Sequence, residues 1–242
     1  MYACYARDFV PNHLFDVYKM IIEKHDIDTL LLIDGGTDSL MRGDESGLGD
    51  PIEDATSVCA AARLRTLRHK FLISIGFVSS FSFPLFSFQS IALKRFGADR
   101  FNGVSDGASL RAVAELTKMG GFRGSFSIEL EDPGRLFYEE LLDHIYQAQS
   151  FRSVLSSLIL ASSKGDYGVI VPALSGGRVQ EGDGAYVWPL MTMLFCFDVD
   201  VVFERSLICK WINAAESPTH AHFLLMQGRH TVEIRPEEQI GK

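Results

Sequence analysis

Cysteine is scarce in this chain and scattered where it occurs: Cys4, Cys59, Cys196 and Cys209 form no C-x-x-C pair. That argues against a zinc ribbon or a dithiol redox centre and predicts reduced, mostly structural thiols. Basic residues are outnumbered, 23 Lys and Arg against 31 Asp and Glu, for a net charge of −8. Such a balance offers no basic face to a phosphate backbone, so no nucleic-acid partner is expected. Long apolar runs are also missing. No stretch reaches the roughly 18 residues that span a bilayer, and the opening MYACYARDFV has neither the basic start nor the apolar core of a signal peptide. No membrane partner is expected, and the cytosol is the simplest location.

What is present is enough for a globular fold. The 242 residues are 47% hydrophobic, which predicts one α/β domain over 1–242. Its organising stretch is Thr29 to Asp54, TLLLIDGGTDSLMRGDESGLGDPIED. Thr29 to Ile33 is too short for a helix and reads as a strand buried on both faces. It ends at Asp34. Gly35 and Gly36 then permit a sharp turn and a close approach of ligand to main chain. In open α/β sheets ligands sit beyond the carboxyl ends of strands, which is where this loop would lie.

Seven acids fall between Asp34 and Asp54. Asp50, Pro51 and Glu53 have the spacing of a capping box with proline at the first helical position, which predicts a helix start. Asp34, Asp38, Asp44 and Glu45 have no such explanation. Their alternatives are turn chemistry, because Asp bonds its own backbone in Asx turns, or direct ligation. The ligand candidates are Asp34, Gly35, Gly36, Thr37, Asp38, Arg42 and Asp44, joined by Asp99 and Asn102 from a second glycine-bearing loop, Gly97 to Ser105. Asp34, Asp38 and Asp44 could hold Mg2+, since hard cations choose carboxylate oxygen and bridge to phosphate. Arg42 would grip the anionic group.

Along the chain, Leu14, Val17, Tyr18, Ile21 and Ile22 recur at helical steps and predict a helix ending near His25. Ala55 to Leu67 reads as a helix and Phe71 to Phe77 as a second strand, parallel to the first. Ser109 to Met119 reads as a helix stopped by Gly120 and Gly121. Ser125 to Leu130 reads as a strand. Helices are expected from Asp132 to about Gln149 and from Phe151 to Ala161, then an irregular loop from Lys164 to Gly184. Tyr186 to Phe197 is core, and Asp198 with Asp200 introduces a helix through Trp211. Residues 216–242 are expected to be a C-terminal extension, with His220 to Met226 and Thr231 to Ile234 alternating as a hairpin. His220 and His222 have no acid nearby in sequence, which argues against a metal role.

At IDGGTDSLMRGDESGLGDPIED the chain resembles the uncharacterised family called domain of unknown function 1152, and the resemblance continues through FGADRFNGVSDGASLRAVAELTKMGGFRGSFSIE and WPLMTMLFCFDVDVV. It implies a Rossmann-like α/β fold, a mostly parallel sheet with helices on both faces, and brings no established activity. Family members begin with an earlier strand and a loop of consecutive glycines able to hold phosphate, so this chain resembles an N-terminally truncated member. Asn102 and Asp106 stand where the family tends to offer His. The expected function is binding of a small phosphorylated or nucleotide-like ligand, with metal-assisted chemistry; the alternative is a non-catalytic binding or scaffold domain.

Residues 78–96, VSSFSFPLFSFQSIALKRF, fit neither a strand nor a helix period and are expected to be an insertion. Without them IGF runs straight into GADRFNG. Ser79 to Phe88 contains only Ser, Phe, Pro and Leu, all with pyrimidine-only codons, which is how a translated intron would read; a genuine apolar arm is the alternative.

Overall fold

The computed structural model describes residues 2–4, 9–34, 37–75, 106–127, 168–170, 185–187 and 193–236. Two compact units divide the chain, one of residues Met1–Ser74, Asn102–Gly124 and Phe195–Lys242, the other of Ile75–Phe101 and Ser125–Leu194. Gly35, Gly36, Asp99 and Asn102 lie outside the described residues. So do the 78–96 segment and the helices expected between Asp132 and Ala161.

The first unit opens with helix α1, Pro11–His25, with proline in its first turn and Lys24 and His25 at its basic end. It stops at Asp26, which takes the left-handed conformation at φ 51°, a geometry Asp tolerates better than most residues. Strand β1, Thr29–Asp34, follows and pairs in parallel with β2, His69–Ile75, so that Leu32 lies beside Leu72 and Asp34 beside Ser74. Helix α2, Ile52–Ala62, connects them. A sheet in the order β1-β2-β6-β3 contains these strands, with β3 at Phe122–Ser127 and β6 at Met193–Asp198. The α/β class is as expected.

β1 stands at one end of that order. Leu32 and Asp34 are buried, but Leu31 is 50% and Ile33 67% exposed. The expectation of burial on both faces is therefore corrected. An unbroken apolar run does not by itself say which faces of a strand are covered, and the face of β1 that carries Leu31 and Ile33 is open to water.

Helix α3, Asp106–Lys118, ends as expected at glycine. Gly120 has φ +74° and the Gly121 amide donates to the Leu116 carbonyl at 2.7 Å. The Asp198 region holds two short helices, α4 at Val199–Arg205 and α5 at Leu207–Ile212, capped by Asp198 and Ser206. The C-terminal hairpin is replaced by a helix, α6, Pro218–Arg229. Ser217 caps it by accepting from the His220 amide at 3.1 Å, with Pro218 in the first turn. Ser-Pro is a helix-start signal, and Ala221, Leu225 and Gly228 bury themselves at helical spacing.

The core of this unit forms where α2 packs against α1, α4 and α5. Val58, Cys59, Ala60 and Ala61 are fully buried, and their small side chains let Ile208, Cys209 and Ile212 come close. The Cys59 thiol donates to the Cys209 carbonyl at 3.4 Å and the Cys209 thiol to the Ala55 carbonyl at 3.8 Å. None of the four cysteines is in a disulfide. Gly228 is required by Trp211, since a Cβ there would lie 2.2 Å from the indole.

The second unit is described only in part. Gly168–Ile170 and Ala185–Val187, β4 and β5, pair antiparallel, so the loop expected from Lys164 to Gly184 contains one strand. Among the described residues no helix is long and apolar enough to cross a membrane.

Candidate functional site

The acids after β1 separate into two groups. In the first, carboxylate oxygens of Asp34, Asp38 and Asp54 all lie within 4.8 Å of one another. Three local structures bring them together. Asp34 is the last residue of β1, Asp38 opens a single 3-10 turn at Asp38–Leu40, and Asp54 stands in the first turn of α2. Thr37 precedes the turn, its hydroxyl accepting from Ser109 of α3 at 3.0 Å. The Asp50 amide donates to Asp38 Oδ2 at 3.3 Å.

That last bond corrects the capping box. α2 begins at Ile52 with Pro51 in the cap position and no side-chain cap, and the Pro51 carbonyl accepts from Ala55. The helix starts one residue later than the box requires, and Asp50 uses its own amide to orient Asp38.

Burial pushes Asp38 up to about 6, with the neighbouring Asp34 adding to it. Burial likewise pushes Asp54 up to about 8, helped by Asp34 and Asp38. Like charges at this spacing raise one another's affinity for a proton. Oxygen-only ligands at this separation suit a hard divalent ion such as Mg2+ or Ca2+.

The second group is tied to arginine. Asp44 Oδ2 pairs with Arg42 at 2.8 Å and Asp44 Oδ1 with Arg235 at 2.7 Å. Glu45 accepts from the Arg42 and Gly43 amides at 2.9 and 2.7 Å. Arg205 reaches Glu115 at 2.8 Å and the Leu40 carbonyl at 2.6 Å, and Arg235 joins the same Glu115 at 2.8 Å. Burial would raise Asp44, but the hydrogen bond and charge of Arg235, with Arg42 behind it, hold it below the usual carboxylate range. Glu115 is held low in the same way, with Arg235 and Arg205 outweighing burial. Asp44 and Arg42, expected as metal ligand and anion grip, therefore sit in an ion-pair network that fastens the loop to α3, α4 and the end of the chain.

A cavity of about 180 Å3 adjoins the first group. Asp34 and Asp54 line it together with Tyr18, Ser57, Leu31, Leu32, Ile33 and Leu72. Asp54, Tyr18 and Ser57 were not among the residues expected from sequence. Tyr18 read as one more member of the α1 stripe, and Asp54 was hidden among neighbours with a helix-start explanation. Position in the first turn of α2 was the available signal for Asp54, because that turn faces back toward the end of β1.

The arrangement is that of an α/β protein with an acid cluster at the carboxyl end of a strand. Residues 10–79, under a third of the chain and containing the whole cluster, match the model of the family described as protein of unknown function (DUF1152). No curated protein matches the chain. No solved structure matches it.

Proposed function

We propose that this chain binds a small phosphorylated ligand through a divalent cation held by Asp34, Asp38 and Asp54, on a Rossmann-like frame. The observation that carries the reading is the convergence of three carboxylates within 4.8 Å at the end of β1, beside a cavity. Parallel pairing of β1 and β2 across a connecting helix supports the frame, because strand ends in such units are where ligands collect. None of the described residues lining the cavity is basic. Phosphate would therefore be recognised through the cation, which neutralises both the acids and the ligand.

The test is thermal unfolding with Mg2+, Mn2+ or a chelator. A ligand that binds only the folded state at 100 times its Kd stabilises by about 2.7 kcal/mol, so millimolar Mg2+ should raise Tm by several degrees. Asp54→Asn and Asp38→Asn should remove the rise while Asp44→Asn retains it. Equal shifts in all four proteins would place the ion elsewhere.

A further inference from the structure

Resting on the cation site proposed above, we infer that the cavity beside it takes the body of a sugar phosphate rather than a nucleotide. Size makes the first distinction. Pockets that enclose drug-sized ligands run to about 300–1,000 Å3, whereas this one is about 180 Å3. A single sugar ring is on that scale, and a base with its ribose exceeds it.

Polarity makes the second distinction. The Ser57 hydroxyl lies 3.1 Å from the Glu53 carbonyl, and it also favours the phenolate form of Tyr18 as a hydrogen-bond donor would. Tyr18 and Ser57 both line the cavity, and a hydroxyl can donate or accept there. Asp34 and Asp54 contribute carboxyl groups, and the remaining described wall is the aliphatic Leu31, Leu32, Ile33 and Leu72. A wall of hydroxyls and carboxyls with no cationic side chain among its described residues suits a neutral body with several hydroxyls, and a sugar ring supplies them. The aliphatic residues would lie against the C–H face of the ring. Among the described residues of the lining there is no Trp, Phe or Arg on which a base could stack and no amide to read its edge.

The experiment is calorimetric titration of the full chain with ribose 5-phosphate, glucose 6-phosphate, adenosine 5′-monophosphate and inorganic phosphate, each with Mg2+ and with chelator. In Mg2+ a sugar phosphate should bind at least about tenfold tighter than inorganic phosphate, as one or two added hydrogen bonds allow. The nucleotide should gain nothing over inorganic phosphate. Tyr18→Phe should weaken the sugar phosphate about fivefold, the loss of one neutral hydrogen bond, and leave Mg2+ affinity unchanged; Ser57→Ala gives the same comparison if Tyr18→Phe fails to fold. Sugar phosphate bound equally with Mg2+ and with chelator would contradict the cation site while supporting the cavity assignment. Mg2+ binding without any preference for sugar phosphates, or a preference that survives Tyr18→Phe and Ser57→Ala, overturns the inference and leaves the cation site standing.

Discussion

Asp38 and Asp44 are six residues apart in one acid-rich loop and end in opposite electrostatic situations. Asp38 faces Asp34 and Asp54, and its carboxyl is pushed up to about 6 by burial and by Asp34. Asp44 faces Arg42 and Arg235 and is held below the usual range. Acid count along a sequence therefore does not locate a cation site. Among the described residues, what marks the Asp44 group is the arrival of arginine from elsewhere in the chain, as Arg205 and Arg235.

The largest expected effect comes from breaking the arginine-tied group at its centre. Arg205 is 7% exposed and joins Glu115, Glu45 and the Leu40 carbonyl. Removing one partner of a buried ion pair costs about 3–5 kcal/mol, so Arg205→Ala should lose that much in urea unfolding. Chain that still folds should retain its response to Mg2+. Asp44→Asn should cost less, about 1–3 kcal/mol for leaving buried charge on Arg235 without its partner. Because Asp44 is held low, the folded state gives up its proton more readily than the unfolded one. Its contribution is therefore present above about pH 4 and is lost as pH falls, and in Asp44→Asn the acid limb of the stability profile should flatten.

The other group predicts the opposite sign. Folded Asp54 keeps its proton up to about pH 8, whereas an unfolded aspartate loses it near 3.9. Between those values the folded state binds more protons, so stability declines as pH rises through the window. Asp54→Asn should remove much of that decline. At pH 8 without divalent ions it should melt about 2–4 °C above the parent, the shift that about 1 kcal/mol produces in a chain of this size. A lower Tm for Asp54→Asn at that pH would show that the cluster is not under charge strain. Smallest of all is Asp50→Ala. With no side-chain cap on α2, the change should stay within about 0.5 kcal/mol, as for ordinary surface positions. A loss of about 1 kcal/mol or more would restore Asp50 as a cap.

How much was legible follows the range of the interactions involved. α1, β1, α2, β2 and α3 were readable because periodicity, proline and glycine act within a few residues, and the Gly120-Gly121 stop is such a local event. Asp34 and Asp38 were readable as candidates for the same reason. The openness of Leu31 and Ile33 was not, because it depends on what the rest of the chain lays against that face of β1. Nor was the fate of Asp44, whose partner Arg235 lies near the other end of the chain. The C-terminal helix was misread by giving apparent alternation after His220 more weight than Ser217-Pro218, which stood in the sequence as a start signal. Gly35, Gly36, Asp99 and Asn102 remain part of the proposed ligand set from sequence alone.

The central claim is that the Asp34, Asp38 and Asp54 cluster exchanges its proton for a cation. Its most direct test is calorimetric titration with Mn2+ or Mg2+ at pH 7 in two buffers of different ionisation enthalpy, which counts the protons released. With Asp54 titrating at about 8, the account predicts one ion bound with nearly one proton released, affinity that rises from pH 6 to pH 8, and loss of both in Asp54→Asn. Binding with no proton release and no change in Asp54→Asn, or no binding at millimolar metal, would contradict it.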